Sequence, residues 1–261
     1  MTYETISVTT DQGVLTVRLN RPESLNAFND QMIRETTKAF KGAARDQKIR
    51  AVIITGEGRA FSSGQDLKDV TDRGQDFSLR QHVEKGYNQL ILSMVNLEKP
   101  VIAAVNGVAA GAGCSVALAA DIRIASDKAS FIQVFSRVGL IPDSGSTWIL
   151  PRLIGYSRAY EMAITSDRIS ADRALLWGLI NEVAPADQLL EITNGWARTL
   201  ATGPTLAYGL TKRAMNKGLS MSLSESLEYE AQLQELASRS DDYQEGVQSF
   251  LEKREAQFKG R

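Results

Sequence analysis

The sequence predicts an α/β fold in which a β-rich N-terminal part is followed by a helical C-terminal part. Up to about residue 155, short β-branched or apolar runs alternate with segments whose apolar residues recur with a helical period. Such alternation is typical of an α/β core. Beyond that point the segments have a helical period. We expect a core domain of residues 1–200 and a helical region of residues 201–261.

The N-terminal part begins with a predicted hairpin, because ETISVTT and VLTVRLN are rich in β-branched residues and flank the turn DQG. A helical stripe follows at residues 30–45, and the fully apolar run AVIITG predicts a buried strand at residues 51–56. The next predicted elements are a helix at 80–97, a buried strand VIAAV, the glycine-rich bend NGVAAGAG, a buried helix CSVALAA and a strand DIRIAS.

The C-terminal part consists of predicted helices, several of which have Ser or Asp near the start and Gly near the end. They are SRAYEMAI, SADRALLWG, ADQLLEITNGWARTLAT, PTLAYGLTKRAMNKG, SLSESLEYEAQLQELASRS and DYQEGVQSFLEKREAQF. These helices can pack on the core or on a partner subunit.

The composition argues against several classes of function. The chain has 261 residues, 43% of them hydrophobic, and a formal net charge of −1. This balance argues against a nucleic-acid partner, and no apolar run reaches the roughly 20 residues of a membrane span. The first residues lack a signal-peptide pattern. A single cysteine fits a reducing compartment, so we expect a cytoplasmic protein.

The only histidine and the only cysteine are His82 and Cys114. They cannot supply a His/Cys metal cluster, so we expect no metal site. A Ser-His-Asp triad would have to use His82. That residue is offset from the apolar stripe of its predicted helix, so we expect it to face solvent.

Two glycine-bearing loops follow buried strands. Gly64 precedes Gln65 in GEGRAFSSGQDLKD (56–69), and Gly111 precedes an apolar helix in NGVAAGAGCSVALAA (106–120). Backbone N–H groups in such places can hold a phosphate or a developing oxyanion. Neither loop has the spacing of a dinucleotide-binding motif or a P-loop. Alternatively, the glycines only permit tight packing of a buried helix.

The stretch GLIPDSGSTW raises two hypotheses for Asp143. The carboxylate can cap the helix that follows, or it can act as a base whose pKa is raised by burial beside Ile141 and Trp148. Both roles can hold at once. Other acids could compete for the role of base, namely Asp66, Asp69, Asp72, Asp76 and Asp121.

Four motifs occur in order: RPESLNAF, AFSSGQDLKD, KPVIAAVNGVAAGAGCSVALAADIRIAS and GLIPDSGSTWILPRLIG. Together they resemble the enoyl-CoA hydratase/isomerase, or crotonase, superfamily, and the resemblance extends to FLEKREAQFKG. It implies a crotonase-like spiral of ββα units with a C-terminal helical trimerisation region. It also implies an acyl-CoA substrate, a homotrimer or hexamer, and no cofactor, because coenzyme A is part of the substrate.

The resemblance implies that the backbone N–H groups of Gln65 and Ala112 hold the thioester oxygen. Ala112 stands in the middle of a family Gly-Gly-Gly run, which reads Gly-Ala-Gly here, and alanine keeps the N–H group. Loss of an α-proton turns a thioester into an enolate, and two aligned donors stabilise its negative charge.

Hydratases of this family use two glutamates, and Ser115 and Phe135 occupy the corresponding positions here. Neither side chain can transfer the proton of a water molecule. Asp143 remains as the candidate base, as in relatives that isomerise ring-epoxyphenylacetyl-CoA to its oxepin thioester or shift the double bond of 3-enoyl-CoA. A single carboxylate suffices for such isomerisations, because no water is added.

The resemblance also implies contacts with coenzyme A or the acyl group. The residues are Ser24, Leu25, Ala27, Ser63, Gly64, Asp66, Leu67, Gly111, Pro142, Phe250 and Lys253. The last two belong to the C-terminal helix, which often reaches a neighbouring subunit's ligand, although Lys253 can also be an ordinary solvated residue.

Three other functions stay open at this point. The first is an enoyl-CoA hydratase with an unusual set of acids. The second is an aromatic-CoA enzyme such as a dehalogenase or a ring-closing synthase. The third is a CoA-ester-binding or RNA-binding relative without catalysis.

Overall fold

The strands of the computed structural model, which describes residues 3–67, 69 and 77–261, form two sheets. The strands are β1 (Ile6–Asp11), β2 (Val14–Leu19), β3 (Ala51–Gly56), β4 (Ala60–Ser62), β5 (Val101–Val105), β6 (Val108–Ala110), β7 (Ile122–Ser126), β8 (Ser130–Ile132), β9 (Ile169–Ser170) and β10 (Glu182–Ala184). The larger sheet has the order β1-β2-β3-β5-β7-β10, and the smaller has the order β4-β6-β8-β9.

The helices flank these sheets and fill the C-terminal region. Within the described residues, the longer helices are α1 (Asp30–Arg45), α2 (79–95), α3 (Ala112–Leu118), α4 (Ser146–Ile154), α5 (Tyr156–Thr165), α6 (Ala171–Trp177), α7 (Leu189–Thr202), α8 (Thr205–Gly218), α9 (Leu223–Ser238) and α10 (Asp241–Glu252). Helix α2 is continuous and consists of an α-helical turn (Leu79–His82), a π-helical segment (Val83–Tyr87) and an α-helix (Asn88–Val95).

The chain winds as a spiral that adds one strand to each sheet in every turn. The larger sheet receives β3, β5 and β7, and the smaller receives β4, β6 and β8 directly afterwards. Neighbouring strands within these two sets are parallel. This arrangement confirms the predicted crotonase-like spiral. The predicted bend NGVAAGAG instead contains β6.

Both faces of the larger sheet are buried. Val52 and Ile54 of β3 pack in the main core together with residues of α1. Ile53 packs in a second cluster, which includes Leu189 and Ala197 of α7. Because both faces are covered, the strand is continuously apolar instead of alternating.

The last helix is shorter than the sequence predicted, because the chain leaves the helix at Lys253 in a left-handed conformation with φ of 56°. The chain then turns back, and the carboxylate of Asp242 accepts hydrogen bonds from the backbone N–H groups of Lys259 and Gly260. The domain boundary at residues 200/201 stays a prediction. In the described part of the chain, the helices lack the combination of length and apolarity that crossing a membrane requires.

Candidate active site

The RPESLNAF loop lies against the loop that follows β4. The backbone N–H of Ser63 donates to the carbonyl of Leu25 at 2.9 Å, and the Ser63 hydroxyl donates to the carbonyl of Ser24 at 3.1 Å. Ala27 is buried beside them. The structure therefore brings together four predicted substrate-contact residues, which are Ser24, Leu25, Ala27 and Ser63. Ser63 donates hydrogen bonds to the first two.

Two residues that sequence reasoning missed hold these loops in place. The guanidinium of Arg21 donates to the carbonyl of Ala27 at 2.7 Å and pairs with the carboxylate of Asp66 at 3.0 Å. The buried Asn26 amide donates to the carbonyls of Glu57 and Ala60. The sequence feature that could have indicated this role is the polar pair Arg21 and Asn26 within RPESLNAF. Its meaning depends on the neighbouring loop, which only the folded chain shows.

Gln65 forms a parallel bridge with Phe28. The Phe28 N–H donates to the carbonyl of Gly64 at 2.7 Å, and the Phe28 carbonyl accepts from the N–H of Asp66 at 2.9 Å. Because the two neighbours of Gln65 make these bonds, its own N–H points to the opposite side. Within residues 3–67, 69 and 77–261, this N–H has no hydrogen-bond acceptor.

The first turn of α3 approaches the same loop. A Cβ added to Gly64, whose φ is +96°, would lie 2.7 Å from the carbonyl oxygen of Ala110 and 3.4 Å from the backbone nitrogen of Ala112. A Cβ added to Gly113 would lie 2.6 Å from the Cβ of Ser62. Glycine is therefore required for this close approach. The backbone segments that carry the Gln65 and Ala112 N–H groups are neighbours.

Ser115 and Phe135 lie beside this helix start. Ser115 is fully buried, and its hydroxyl lies 2.7 Å from the hydroxyl of Ser146 and 3.2 Å from the carbonyl of Gly111. The Phe135 ring is buried, and its Cζ would lie 4.0 Å from a Cβ on Gly111. Both positions that the resemblance matches to the acids of hydratases are thus close to Gly111, and both side chains are neutral.

The capping hypothesis for Asp143 is wrong. Helix α4 begins at Ser146, its N-cap is Gly145, and no side chain caps it. The carboxylate of Asp143 instead accepts a hydrogen bond from the hydroxyl of Ser144 at 2.8 Å. Ser144 and Gly145 both have positive φ, at 52° and 81°. This left-handed turn separates Asp143 from the helix start, so its side chain cannot reach the free N–H groups.

Burial raises the pKa of Asp143, while the Ser144 hydrogen bond and the positive charge of His82 lower it. The net direction is upward. The predicted burial of Asp143 beside Ile141 and Trp148 is wrong in detail, because Ile141 is 79% exposed and Trp148 is 42% exposed. The turn faces α2 instead, since a Cβ on Gly145 would lie 3.5 Å from Cγ2 of Ile91.

His82 is buried, which contradicts the expectation of a solvent-facing histidine. Its Nδ1 lies 3.2 Å from a carboxylate oxygen of Asp30, and its Nε2 lies 2.9 Å from Oε1 of Gln65. The hydroxyl of Tyr87 donates to the same Gln65 oxygen at 2.7 Å. The side chain of Gln65 is therefore bound to α2, although the sequence singled out only its backbone.

The remaining candidates are scattered. Leu67 is exposed, and Pro142 is half-buried before Asp143. Phe250 lines a cavity of about 570 Å³ on the C-terminal helices, and neither it nor the exposed Lys253 is brought to the Gln65 loop.

The competing acids fall into three groups. Asp66 is paired with Arg21, and Asp121 accepts from Lys212 and from the backbone N–H of Val101, each at 2.8 Å. Burial raises the pKa of Asp121 despite Lys212. Asp69 is half-buried, whereas Asp72 and Asp76 lie outside the described residues. The described part of the chain contains no cluster of His, Cys, Asp and Glu suited to a metal ion.

Comparisons with known proteins agree with this architecture. The family model "Enoyl-CoA hydratase/isomerase" matches residues 9–261. The 1,2-epoxyphenylacetyl-CoA isomerase of Escherichia coli (strain K12) is 46% identical over 96% of this chain and 97% of its own length. A protein of Rhodobacter capsulatus named "Probable enoyl-CoA hydratase" is 43% identical over the full length of both chains.

A solved structure gives the same result for the fold. The enoyl-CoA hydratase of Bacillus anthracis superposes with a TM-score of 0.94 at 34% identity, over 99% of this chain and 100% of that one. The fold, the full-length family match and the identities above 30% agree. The chain belongs to the enoyl-CoA hydratase/isomerase family.

Proposed function

We propose that this protein is an acyl-CoA isomerase in which Asp143 is the base and the N–H groups of Gln65 and Ala112 form the oxyanion hole. One observation carries the proposal: a Cβ added to Gly64 would lie 3.4 Å from the Ala112 backbone nitrogen, so the two backbone segments are close, and the Asp143 turn is bonded to the same helix through Ser115. Because Ser115 and Phe135 are neutral and the Asp66 carboxylate is paired with Arg21, Asp143 is the carboxylate that we propose exchanges a proton with the substrate.

The proposed reaction moves a proton and a double bond without adding water. The carboxylate of Asp143 removes a proton from the α-carbon, and the electron pair of the C–H bond moves into the thioester as an enolate. The two backbone N–H groups bind the enolate oxygen, and each such donor contributes about 3–4 kcal/mol in comparable sites. With a 3-enoyl-CoA, the protonated Asp143 returns the proton to the γ-carbon, and the double bond forms between the α- and β-carbons.

The proposed substrates are ring-epoxyphenylacetyl-CoA, which would give the oxepin thioester, and 3-enoyl-CoA. The name of the Escherichia coli relative supports the first substrate, and a place in phenylacetate catabolism is part of the proposal. Burial supports the role of base, because a carboxylate with a raised pKa accepts a proton more readily at neutral pH.

A second candidate is hydration of an enoyl-CoA, which the name of the Rhodobacter capsulatus relative supports. It would require Asp143 to activate water alone, because Ser115 and Phe135 replace the two acids. The aromatic-CoA dehalogenase needs a histidine that activates water, and His82 is already bonded to Asp30 and Gln65.

Further parts of the proposal concern the substrate contacts and the assembly. Ser24, Leu25, Ala27, Ser63, Gly64, Asp66, Leu67, Gly111 and Pro142 would contact the thioester and coenzyme A. Phe250 and Lys253 would contact the ligand of a neighbouring subunit in a homotrimer or hexamer. Exposed apolar side chains on α9 and α10, including Leu223 and Phe250, support this association. We propose no cofactor apart from the substrate's coenzyme A. The single cysteine supports a cytoplasmic location.

The decisive experiment incubates the protein and its Asp143→Asn variant with a 3-enoyl-CoA, ring-epoxyphenylacetyl-CoA and crotonyl-CoA. We expect isomerisation of one or both of the first two, and a loss of at least about 100-fold in the variant. Hydration of crotonyl-CoA that survives in Asp143→Asn would refute the isomerase proposal. Retained CoA-ester binding without any turnover would favour a binding protein.

A further inference from the structure

The only histidine of the chain is enclosed by polar groups that no step of the proposed reaction uses. His82 lies at the end of the first α-helical turn of α2, and its side chain is only 4% exposed. Its ring contacts Asp30 of α1 on one side and Gln65 on the other. The rings of Phe77 and Tyr87 pack at centroid distances of 5.6 and 5.5 Å.

The π-helical segment explains how α2 reaches Gln65 twice. His82 and Tyr87 are five residues apart, and in an α-helix such residues point about 140° away from each other. The segment Val83–Tyr87 is π-helical, with bonds between residues five apart. This wider turn brings His82 and Tyr87 to the same face, where both contact Oε1 of Gln65.

The orientation of the Gln65 amide determines what His82 must donate. The Gln65 Nε2 donates to the carbonyl of Asp66 at 3.2 Å. A reversed amide would set its oxygen against that carbonyl, so Oε1 faces His82 and Tyr87. Because Oε1 is an acceptor only, the Nε2 of His82 must carry a proton.

The opposite ring nitrogen faces a carboxylate, since Nδ1 lies 3.2 Å from Asp30. A neutral imidazole has one protonated nitrogen, so it would turn a lone pair either to this carboxylate or to the Gln65 oxygen. The doubly protonated ring satisfies both contacts. Among the described residues, the charged or titratable groups linked to this site are Asp143, Tyr87, Asp66, whose backbone carbonyl accepts from Gln65, and the exposed Arg80, Glu84 and Lys85 on the same helix.

We propose that His82 is a positively charged positioning residue, doubly protonated at neutral pH, which fixes Gln65 through its side chain. Its ring donates to Asp30 and to Gln65, so the loop that carries the Gln65 N–H is held against α2. Its charge also lowers the pKa of Asp143 against the larger effect of burial, and so favours the ionised form, which accepts a proton. This role rests on the proposed function, whereas the protonation state of His82 does not.

Nuclear magnetic resonance tests the protonation state without substrate. The chain has one histidine, so ¹⁵N-labelled histidine gives the signals of His82 alone. We expect both ring nitrogens to be protonated at about pH 7.5, where a free imidazole is mostly neutral, and we expect Asp30→Asn to remove this behaviour. A single protonated nitrogen at that pH in the unmodified protein would overturn the proposal, whether or not the protein is an isomerase.

Kinetics test the positioning role. His82→Gln keeps an amide donor but no charge, and we expect about a tenfold fall in kcat/KM and an acid limb of the pH profile that moves upward. Tyr87→Phe removes the other donor to Gln65 without a change in charge. It should therefore lower kcat and leave the acid and basic limbs of the pH profile unchanged. Arg80→Gln removes an equal charge from an exposed site on the same turn. This control should change neither kcat/KM nor the pH profile. An unchanged pH profile in His82→Gln would refute the electrostatic part.

Discussion

The hydroxyl of Ser115 lies 3.3 Å from the carbonyl oxygen of Asp143, to which it donates. The same carbonyl accepts from the backbone N–H of Ser146 at 3.0 Å, and the two serine hydroxyls lie 2.7 Å apart. A position that carries a catalytic acid in the hydratases of this family thus carries a short hydroxyl here. It joins the turn of the proposed base to the helix of a proposed oxyanion donor.

Replacing Ser115 with alanine should therefore disturb the placement of Asp143. We expect kcat to fall about tenfold with little change in KM, and the free energy of unfolding to fall by about 1 kcal/mol, because buried polar groups lose a partner. Thr193→Val is the matched control, since its buried hydroxyl donates within α7, remote from the loops of the site. It should cost similar stability and leave kcat unchanged. Equal activity losses in both variants would contradict the prediction.

Asp143→Asn should stabilise the protein at neutral pH while it abolishes turnover. Burial raises the pKa of Asp143 in the folded state, so the carboxyl favours folding most when it is protonated. This contribution is complete below the unfolded pKa and is lost as the pH rises through the folded pKa. Urea unfolding should give a higher free energy for the variant at about pH 7.5 and no difference near pH 3. A variant that is less stable at neutral pH would refute this.

Gly64→Ala should damage both activity and stability, because the added Cβ meets the carbonyl of Ala110 at 2.7 Å and φ is +96°. We expect a loss of about 1–2 kcal/mol for the left-handed backbone alone, and at least about 100-fold in kcat/KM if the Gln65 N–H moves. Gly195→Ala is the control. Gly195 lies in α7 with nothing within 4 Å of an added Cβ, so this change should stabilise the helix.

Arg21→Lys should raise KM for acyl-CoA more than it lowers kcat. The guanidinium holds the carbonyl of Ala27 and the carboxylate of Asp66 at once, and an ammonium group cannot reproduce that planar fork. The measurement is steady-state kinetics with a 3-enoyl-CoA. Arg18→Lys, at a more exposed pair with Glu57, should leave both constants unchanged. An unchanged KM in Arg21→Lys would show that the loop holds its shape without this clamp.

Cys114 should resist thiol reagents in the folded protein. Complete burial raises the pKa of its thiol to about 12, so the reactive thiolate is scarce at pH 8. A colorimetric thiol assay should show no fast reaction until denaturant is added. Because Cys114 lies in α3, its slow labelling rate would measure opening of the helix that carries Ala112. Immediate labelling in native buffer would refute this prediction.

The predicted elements agree with the structure where the sequence gives long patterns. AVIITG and VIAAV are whole strands of the larger sheet, because both faces of that sheet are buried. The strands of the smaller sheet were missed, since β4, β6 and β8 each have three residues. A run of that length cannot show a period, so its pairing is visible only in the folded chain.

In the candidate site, too, some features could be predicted from the sequence and others depend on the folded chain. The glycine loops and Asp143 were evident from local sequence and resemblance. The burial of His82 was not, because its partner Gln65 lies 17 residues earlier and a π-helical turn alters which residues share a face. The failed cap has a local cause, since the positive φ of Ser144 directs the chain away from the helix start. Backbone conformation of this kind is not encoded by residue type alone.

The proposed oxyanion donors are main-chain atoms, and one of them already belongs to an alanine, Ala112. An alanine scan of this protein would therefore pass over the groups that we propose bind the charge of the reaction. Replacing the Gln65 or Ala112 amide by an ester, which removes one N–H and keeps every side chain, is the direct way to measure their contribution.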